Sequence, residues 1–254
     1  MYHFFVEPEQ IQGTQIFITG KDVNHIKNVL RMRIGEEISV GNGIDGKEYR
    51  CAVDAFEEDS VKCKLLFIKE DGVELPVKVT LFQGLPKVDK MELIIQKAVE
   101  LGVYEIVPVA TKRCVVKLDA KKEASKIARW QAIAEAAAKQ SKRAVVPQIR
   151  PVMTMNEAIQ AASGMEQKII PYELADGMEK TRDVFASLIP GAQVGVFIGP
   201  EGGFEEKEVE AAEAAGVVPI SLGKRILRTE TAGFTVLAWI MYAMEVQGNS
   251  GENQ

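Results

Sequence analysis

An α/β protein in two parts is what this sequence predicts. A small, mostly β N-terminal domain precedes a larger C-terminal domain whose mostly parallel sheet is covered by helices on both faces. Three observations carry that prediction. From residue 77 onward, apolar β-branched runs alternate with segments of helical period. The first 70 residues instead hold short runs of Val, Ile, Phe and Tyr broken by turn residues. Between them, Glu70-Asp71-Gly72-Val73-Glu74-Leu75-Pro76 is a polar break carrying Gly and Pro.

In the first part, 3–6, 15–19, 37–40, 47–54 and 60–69 read as strands. Gly41-Asn42-Gly43 and Asp45-Gly46 supply turns between them. One helix around 22–32 gathers Val23, Ile26, Val29 and Leu30 on one face and His25, Lys27, Arg31 and Arg33 on the other. A small β-barrel with one helix fits this order. In the second part, strands are expected at 77–82, 105–109, 168–172, 193–198 and 217–221. Helices are expected at 90–101, 119–140, 154–162, 179–188, 205–215 and 230–246. Apolar strands alternating with helices imply parallel pairing with both faces buried. The expected domains are therefore 1–72 and 73–247, with 248–254 a flexible tail.

Composition is that of an ordinary soluble protein, with 46% hydrophobic and 26% charged residues. No apolar run approaches the roughly 20 residues needed to span a bilayer, and the N-terminus lacks the pattern of a signal peptide. Cys51, Cys63 and Cys114 show no metal-ligand spacing, and there are two histidines, so neither a metal site nor a disulfide framework is expected. A cytoplasmic, metal-free protein follows from these readings. The net charge of −5 hides a segregation: residues 112–150 carry 11 basic and 3 acidic side chains, leaving the remainder strongly acidic. A polyanion-binding face needs such a local excess. A solvated, lysine-rich helix has the same composition, so charge alone leaves both readings open.

Ligands of open α/β sheets sit beyond the carboxyl ends of the strands. Three loops there stand out: Pro171-Tyr172-Glu173; Ile198-Gly199-Pro200-Glu201-Gly202-Gly203-Phe204; and Leu222-Gly223-Lys224-Arg225-Ile226-Leu227-Arg228-Thr229-Glu230-Thr231-Ala232. The second is glycine-rich and enters a helix, yet it has neither dinucleotide nor P-loop spacing. Its carboxylates Glu201, Glu205 and Glu206 would repel a polyphosphate. A neutral nucleoside or a cationic ligand suits it better, although a tight strand-to-helix turn would look the same. Thr229 is placed as the N-cap of the last helix. That helix is apolar nearly all round, which fits either a core helix or one shared with a second subunit.

Taken together, the last two loops resemble the paired signature of the SPOUT (α/β-knot) methyltransferases, in particular the ribosomal RNA small subunit methyltransferase E type. Lys90-Met-Glu-Leu-Ile-Ile-Gln-Lys-Ala-Val-Glu-Leu-Gly102, residues 108–113, Trp130 with residues 135–147, and His25-Ile-Lys-Asn-Val-Leu-Arg31 also fit that family, so the resemblance spans nearly the whole chain. It implies a deep trefoil knot in the C-terminal domain and a PUA-like RNA-binding N-terminal domain. It also implies S-adenosylmethionine as cofactor and a homodimer formed through the C-terminal domain. The implied reaction is N3-methylation of uridine 1498 of 16S rRNA in the small ribosomal subunit.

On this resemblance, the expected cofactor-binding residues are Pro171, Tyr172, Ile198, Gly199, Pro200, Glu201, Gly202, Gly203, Ile220, Leu222, Gly223, Leu227, Thr229, Thr231 and Ala232. The glycines at 199, 202, 203 and 223 are expected to let the chain bend against the ligand. Glu201 has two open roles, one toward the cofactor and one toward loop amides. Arg228 is the candidate for stabilising the uracil anion and Glu230, or a water, for accepting its proton. Arg31, Arg33, Arg113, Arg129, Lys139, Ser141, Lys142 and Arg143 are the expected RNA contacts. Trp130 suits either a base stack or the core, with the core favoured. The competing readings are a SPOUT enzyme acting on tRNA or a ribose 2′-hydroxyl, and a non-catalytic RNA-binding assembly factor.

Overall fold

The computed structural model describes residues 1–70, 73–87, 90–175 and 177–249, the side chains of 247–249 excepted. The chain divides into two compact units. Met1–Glu74 with Ala138–Val146 form one, and Leu75–Ala137 with Pro147–Gln254 form the other.

The first unit is a six-stranded sheet built from β1 (His3–Phe5), β2 (Ile11–Gln12), β3 (Gln15–Thr19), β4 (Glu37–Gly41), β5 (Glu48–Phe56) and β6 (Ser60–Lys69). Its order is β1-β4-β5-β6-β3-β2, with β1 parallel to β4 and the other pairs antiparallel. Alternate residues point into one core, where Ile16, Ile18, Ile38, Val40, Cys51, Val53, Val61 and Cys63 are buried. The helix expected at 22–32 is shorter and changes pitch. α1 (Lys21–Asn24) passes into a π-helical turn over His25–Val29, closed by the Leu30 N–H bonding to His25 O at 2.9 Å. Arg31, at φ 52°, ends it. The two-residue β2 was not expected, because so short a strand shows no alternation.

Residues 138–146 bring a correction. Arg143 was expected at RNA, but its side chain is only 3% exposed and lies against Glu74. Arg143 Nε donates to both Glu74 oxygens at 3.2 and 3.1 Å, and the amides of Ala144 and Val145 complete that carboxylate's shell. A buried, fully engaged guanidinium anchors the fold and does not reach a phosphate. Lys139 Nζ likewise bonds Asp22 at 3.1 Å, with its side chain 21% exposed.

His3, on β1, pairs through Nδ1 with Ser39 Oγ at 2.8 Å, and Ser39 donates to Glu48 Oε1 at 2.6 Å. Burial lowers the His3 pKa from 6.5 to about 4; Glu48 opposes the shift, and Lys139 and Arg50 add to it. Between those two values the unfolded chain holds a proton that the folded chain does not, so stability rises with pH across this window. We predict a loss of up to about 3 kcal/mol on acidification, largely absent in His3→Gln. Urea unfolding of both proteins at about pH 4.5 and pH 7 checks this, since equal slopes would assign the acid sensitivity elsewhere.

The second unit runs β7 (Lys78–Gly84), α2 (Lys90–Glu100), β8 (Glu105–Ala110), α3 (Ala120–Gln140, whose last turn is counted with the first unit), β9 (Gln148–Ile149), β10 (Met153–Thr154), α4 (Met155–Ala161) and β11 (Gln167–Pro171). It continues with α5 (Glu179–Ala186), β12 (Gln193–Ile198), α6 (Glu206–Ala214), β13 (Val218–Ile220) and α7 (Thr229–Asn249). Every strand pair is parallel, in the order β10-β8-β7-β12-β11-β13, with β9 also beside β8. The short β9 and β10 flank Pro151 and escaped the sequence reading, because proline interrupts the strand pattern. Phe82 and Phe197 stack at 4.5 Å on adjacent strands in the sheet core. Trp130 is buried, as favoured from the helical pattern. α7 extends further than expected, to Asn249, and residues 250–254 of the expected tail lie outside the described residues.

The strand order decides where a ligand can sit. The chain winds outward from β7 through β8 to β10, then crosses to β11 and returns to place β12 beside β7. The direction of winding therefore reverses between β7 and β12, the kind of place where such sheets form a ligand crevice beyond the strand ends.

Candidate active site

At this crevice the strand ends approach very closely. A Cβ on Gly84, the last residue of β7, would lie 2.6 Å from Pro200 Cδ and 2.7 Å from Pro200 N. Only hydrogen fits there. The preceding residue, Gln83, is fully buried, and its Nε2 donates to Gly84 O at 3.0 Å and to Thr229 Oγ1 at 2.9 Å. Thr229 Oγ1 in turn donates to Gly199 O at 2.6 Å. One chain of hydrogen bonds thus ties the ends of β7 and β12 to the start of α7. Thr229 is accordingly not an N-cap: it is the first residue of α7, and its hydroxyl is spent across the crevice.

Glu201 makes the second tie. Its carboxylate accepts the Lys87 N–H at 3.1 and 3.3 Å and lies 3.2 Å from Lys90 Nζ. Burial opposes ionisation there, but the amides of Glu201 and Lys87 and the Lys90 ammonium outweigh it and hold the carboxyl below its ordinary range. Of the two roles left open, the structure displays the one toward loop amides. Lys90 Nζ is also 3.4 Å from Glu230 Oε2, whose side chain is 14% exposed.

The glycines divide by cause. Gly203 and Gly223 have φ of 67° and 95°, which side-chain-bearing residues rarely adopt. Gly199 and Gly202 instead make room for protein atoms: a Cβ at 199 would lie 3.2 Å from Gly203, and one at 202 would lie 3.2 Å from Arg113 Cβ. Gly199 and Gly202 thus have a packing cause of their own, beside the expected approach to a ligand. Arg113, expected at RNA, donates from Nη1 to Gly202 O at 3.0 Å and so stands at the glycine-rich loop.

The third loop is pinned near its end by Thr229 and at its start by Ser221. Ser221 exchanges hydrogen bonds with Thr181 Oγ1, at 2.9 Å through its carbonyl and 3.1 Å through its amide. Tyr172 N donates to Ile220 O at 3.0 Å, which sets Pro171 and Tyr172 beside the end of β13. Among the described residues, Lys224, Arg225, Ile226 and Leu227 make no backbone–backbone hydrogen bond. A loop with unspent amides and carbonyls beside a glycine-rich turn is equipped to hold a heterocycle by its edge. Arg228, at its end, is exposed and has no side-chain partner among the described residues; Thr231 is exposed and Ala232 half-buried.

The remaining expected RNA contacts are spread out. Arg31, Arg33 and Lys142 are exposed, and Ser141 is half-buried. Arg129 is exposed but ion-paired to Glu92 at 2.7 Å. Several cations of the basic segment are thus neutralised internally, which the local charge balance did not reveal. The sequence reading also missed Gln83, Lys87 and Lys90. A polar residue ending an otherwise apolar strand, and a cation at a helix start where the dipole disfavours it, were the available signals.

Replacing Thr229 by Val keeps the shape but removes the donor to Gly199 O and the acceptor for buried Gln83. We predict a loss of about 1–3 kcal/mol, read by denaturant unfolding. An unchanged midpoint would mean that this chain of bonds does not stabilise the loops.

Comparison with known proteins matches residues 73–241 to an RNA methyltransferase domain and residues 18–66 to an RNA methyltransferase PUA domain. The chain is 38% identical over 252 residues to ribosomal RNA small subunit methyltransferase E of Bacillus subtilis, covering 97% of this chain and 98% of that protein. It is 32% identical over 245 residues to the protein of that name from Synechocystis, covering 96% and 78% respectively. Among solved structures, a ribosomal RNA small subunit methyltransferase E from Neisseria gonorrhoeae bound to S-adenosyl methionine superposes with a TM-score of 0.81 at 32% identity, covering 95% of this chain and 97% of that one. The C-terminal unit has the SPOUT α/β-knot fold and the N-terminal unit a PUA-like fold. With both domains matched in order and relatives aligned almost end to end, the chain belongs to the ribosomal RNA small subunit methyltransferase E family.

Proposed function

We propose that this protein transfers a methyl group from S-adenosylmethionine to N3 of a uridine in 16S rRNA, within the small ribosomal subunit and in the cytoplasm. The observation that carries the reading is the hydrogen-bonded union of Gln83, Thr229 and Gly199 beside a loop, Lys224 to Leu227, whose backbone groups are unspent.

The backbone of Ile198, Gly199, Gly202, Ile220, Leu222 and Leu227 would hold the adenosine, with Pro171 and Tyr172 as a wall. When bound, S-adenosylmethionine supplies a methyl carbon made electrophilic by its sulfonium, which becomes a neutral thioether on transfer. Uracil N3 is a poor nucleophile while it carries its proton. Glu230 accepts that proton as the N3–H bond breaks, and the freed electron pair forms the N–CH3 bond. Arg228, exposed at the rim, stabilises the negative charge that develops on the uracil carbonyls. Arg31, Arg33 and Lys142, all exposed, remain the proposed phosphate contacts.

A homodimer through the C-terminal domain completes the proposal. Between α5 and α7 lies an apolar groove of about 510 Å³ lined by Met178, Phe185, Trp239, Tyr242 and Val246. Tyr242 is 69% exposed on a helix otherwise rich in buried apolar residues, as a face meeting a second copy would be.

The test is incubation with small subunits lacking the modification and methyl-labelled S-adenosylmethionine, followed by nucleoside mapping. A single 3-methyluridine in 16S rRNA is expected. Label in tRNA or on a ribose hydroxyl, or no label at all, overturns the assignment.

A further inference from the structure

The crevice holds a cation that the expected chemistry does not use. Lys90 opens α2, where the positive end of the helix dipole disfavours an ammonium. It nevertheless stands between two carboxylates, 3.2 Å from Glu201 and 3.4 Å from Glu230. These carboxylates are not equivalent. Glu201 keeps the Lys87 amide if Lys90 is removed. Glu230 Oε2 is buried with no hydrogen-bond donor in proper geometry, so the Lys90 ammonium is the charge that compensates it. Removing Lys90 therefore strips Glu230 more than it strips the glycine-rich loop.

We propose that Lys90 is a positioning residue for methyl transfer: its ammonium fixes the Glu230 carboxylate at the start of α7, and Glu201 anchors Lys90 there. This rests on the reading of Glu230 as proton acceptor. The charged groups that the structure sets against Glu230 are Lys90 from α2 and, behind it, Glu201 on the loop after β12. Thr229, the immediate neighbour of Glu230, is clamped to Gly199 and Gln83, which leaves the backbone at Glu230 little freedom. Lys90 then governs the direction of the side chain.

The test compares wild type, Lys90→Met, Lys90→Arg and Glu230→Gln in single-turnover methylation of unmodified small subunits, with cofactor affinity measured by calorimetry. Lys90→Met should cut the rate by about tenfold, with cofactor affinity held within about threefold. Lys90→Arg, which keeps the charge and the reach to both carboxylates, should restore most of the rate. A Lys90→Met rate equal to that of wild type overturns the proposal, as does failure of Lys90→Arg to recover it. Loss of cofactor binding in step with rate also overturns it, since Lys90 would then act through Glu201 on the loop. Glu230→Gln separates the two readings. If it keeps full rate, Glu230 is not the proton acceptor; if it loses the rate while Lys90→Met keeps it, only the role of Lys90 fails.

Discussion

Arg228→Ala is expected to slow single-turnover methylation by about 10²- to 10³-fold while leaving S-adenosylmethionine affinity within about twofold. The guanidinium is exposed at the end of the third loop and has no side-chain partner among the described residues. A residue that stabilised the loop would be paired to it, as Arg113 is to Gly202 O. An unpaired cation at the rim is instead available to charge that develops on the substrate. That charge grows as uracil loses its N3 proton, so removing Arg228 should affect the transition state and not the resting complex. Single-turnover rates with saturating cofactor, set beside calorimetric titration, separate the two effects. A normal rate would remove Arg228 from the mechanism, and a loss confined to cofactor affinity would place it in the cofactor pocket.

Gly84→Ala is expected to cost about 3 kcal/mol of stability, with cofactor binding lost as the crevice opens. The added methyl would meet Pro200 Cδ at 2.6 Å and Pro200 N at 2.7 Å. Neither is the end of a flexible side chain, so the strand-end loops themselves must move apart. Because Gln83 and Thr229 bridge the same two strand ends, that displacement would also break the Gln83–Thr229–Gly199 chain. Guanidinium unfolding and calorimetry on the same sample give both readings. Wild-type stability with intact binding would mean that the close approach is not needed to shape the site.

Much of the fold was legible because its signals are local. The strand expected at 193–198 is β12 to the residue, since a run of Val, Gly, Phe and Ile between a turn and a glycine-rich loop admits few other assignments. The three strand-end loops were likewise legible from their place after the last three expected strands. What stayed hidden depends on distant partners. Arg143 reads as a surface cation until Glu74, 69 positions away, is seen to enclose it. Lys90 gains meaning only when Glu201 and Glu230, on two other elements, converge on it. Thr229 looked like a cap because helix starts favour such residues, but its hydroxyl serves β7 and β12 instead. The packing glycine at 84 lay outside every motif, as its constraint comes from Pro200 across the sheet.

Calorimetric titration of the purified protein with S-adenosylmethionine tests most directly whether these converging strand ends form a cofactor pocket. Saturable binding at one site per chain is predicted, lost in Gly84→Ala and weakened in Thr229→Val. Absence of binding by the wild type, or binding indifferent to both substitutions, would contradict it.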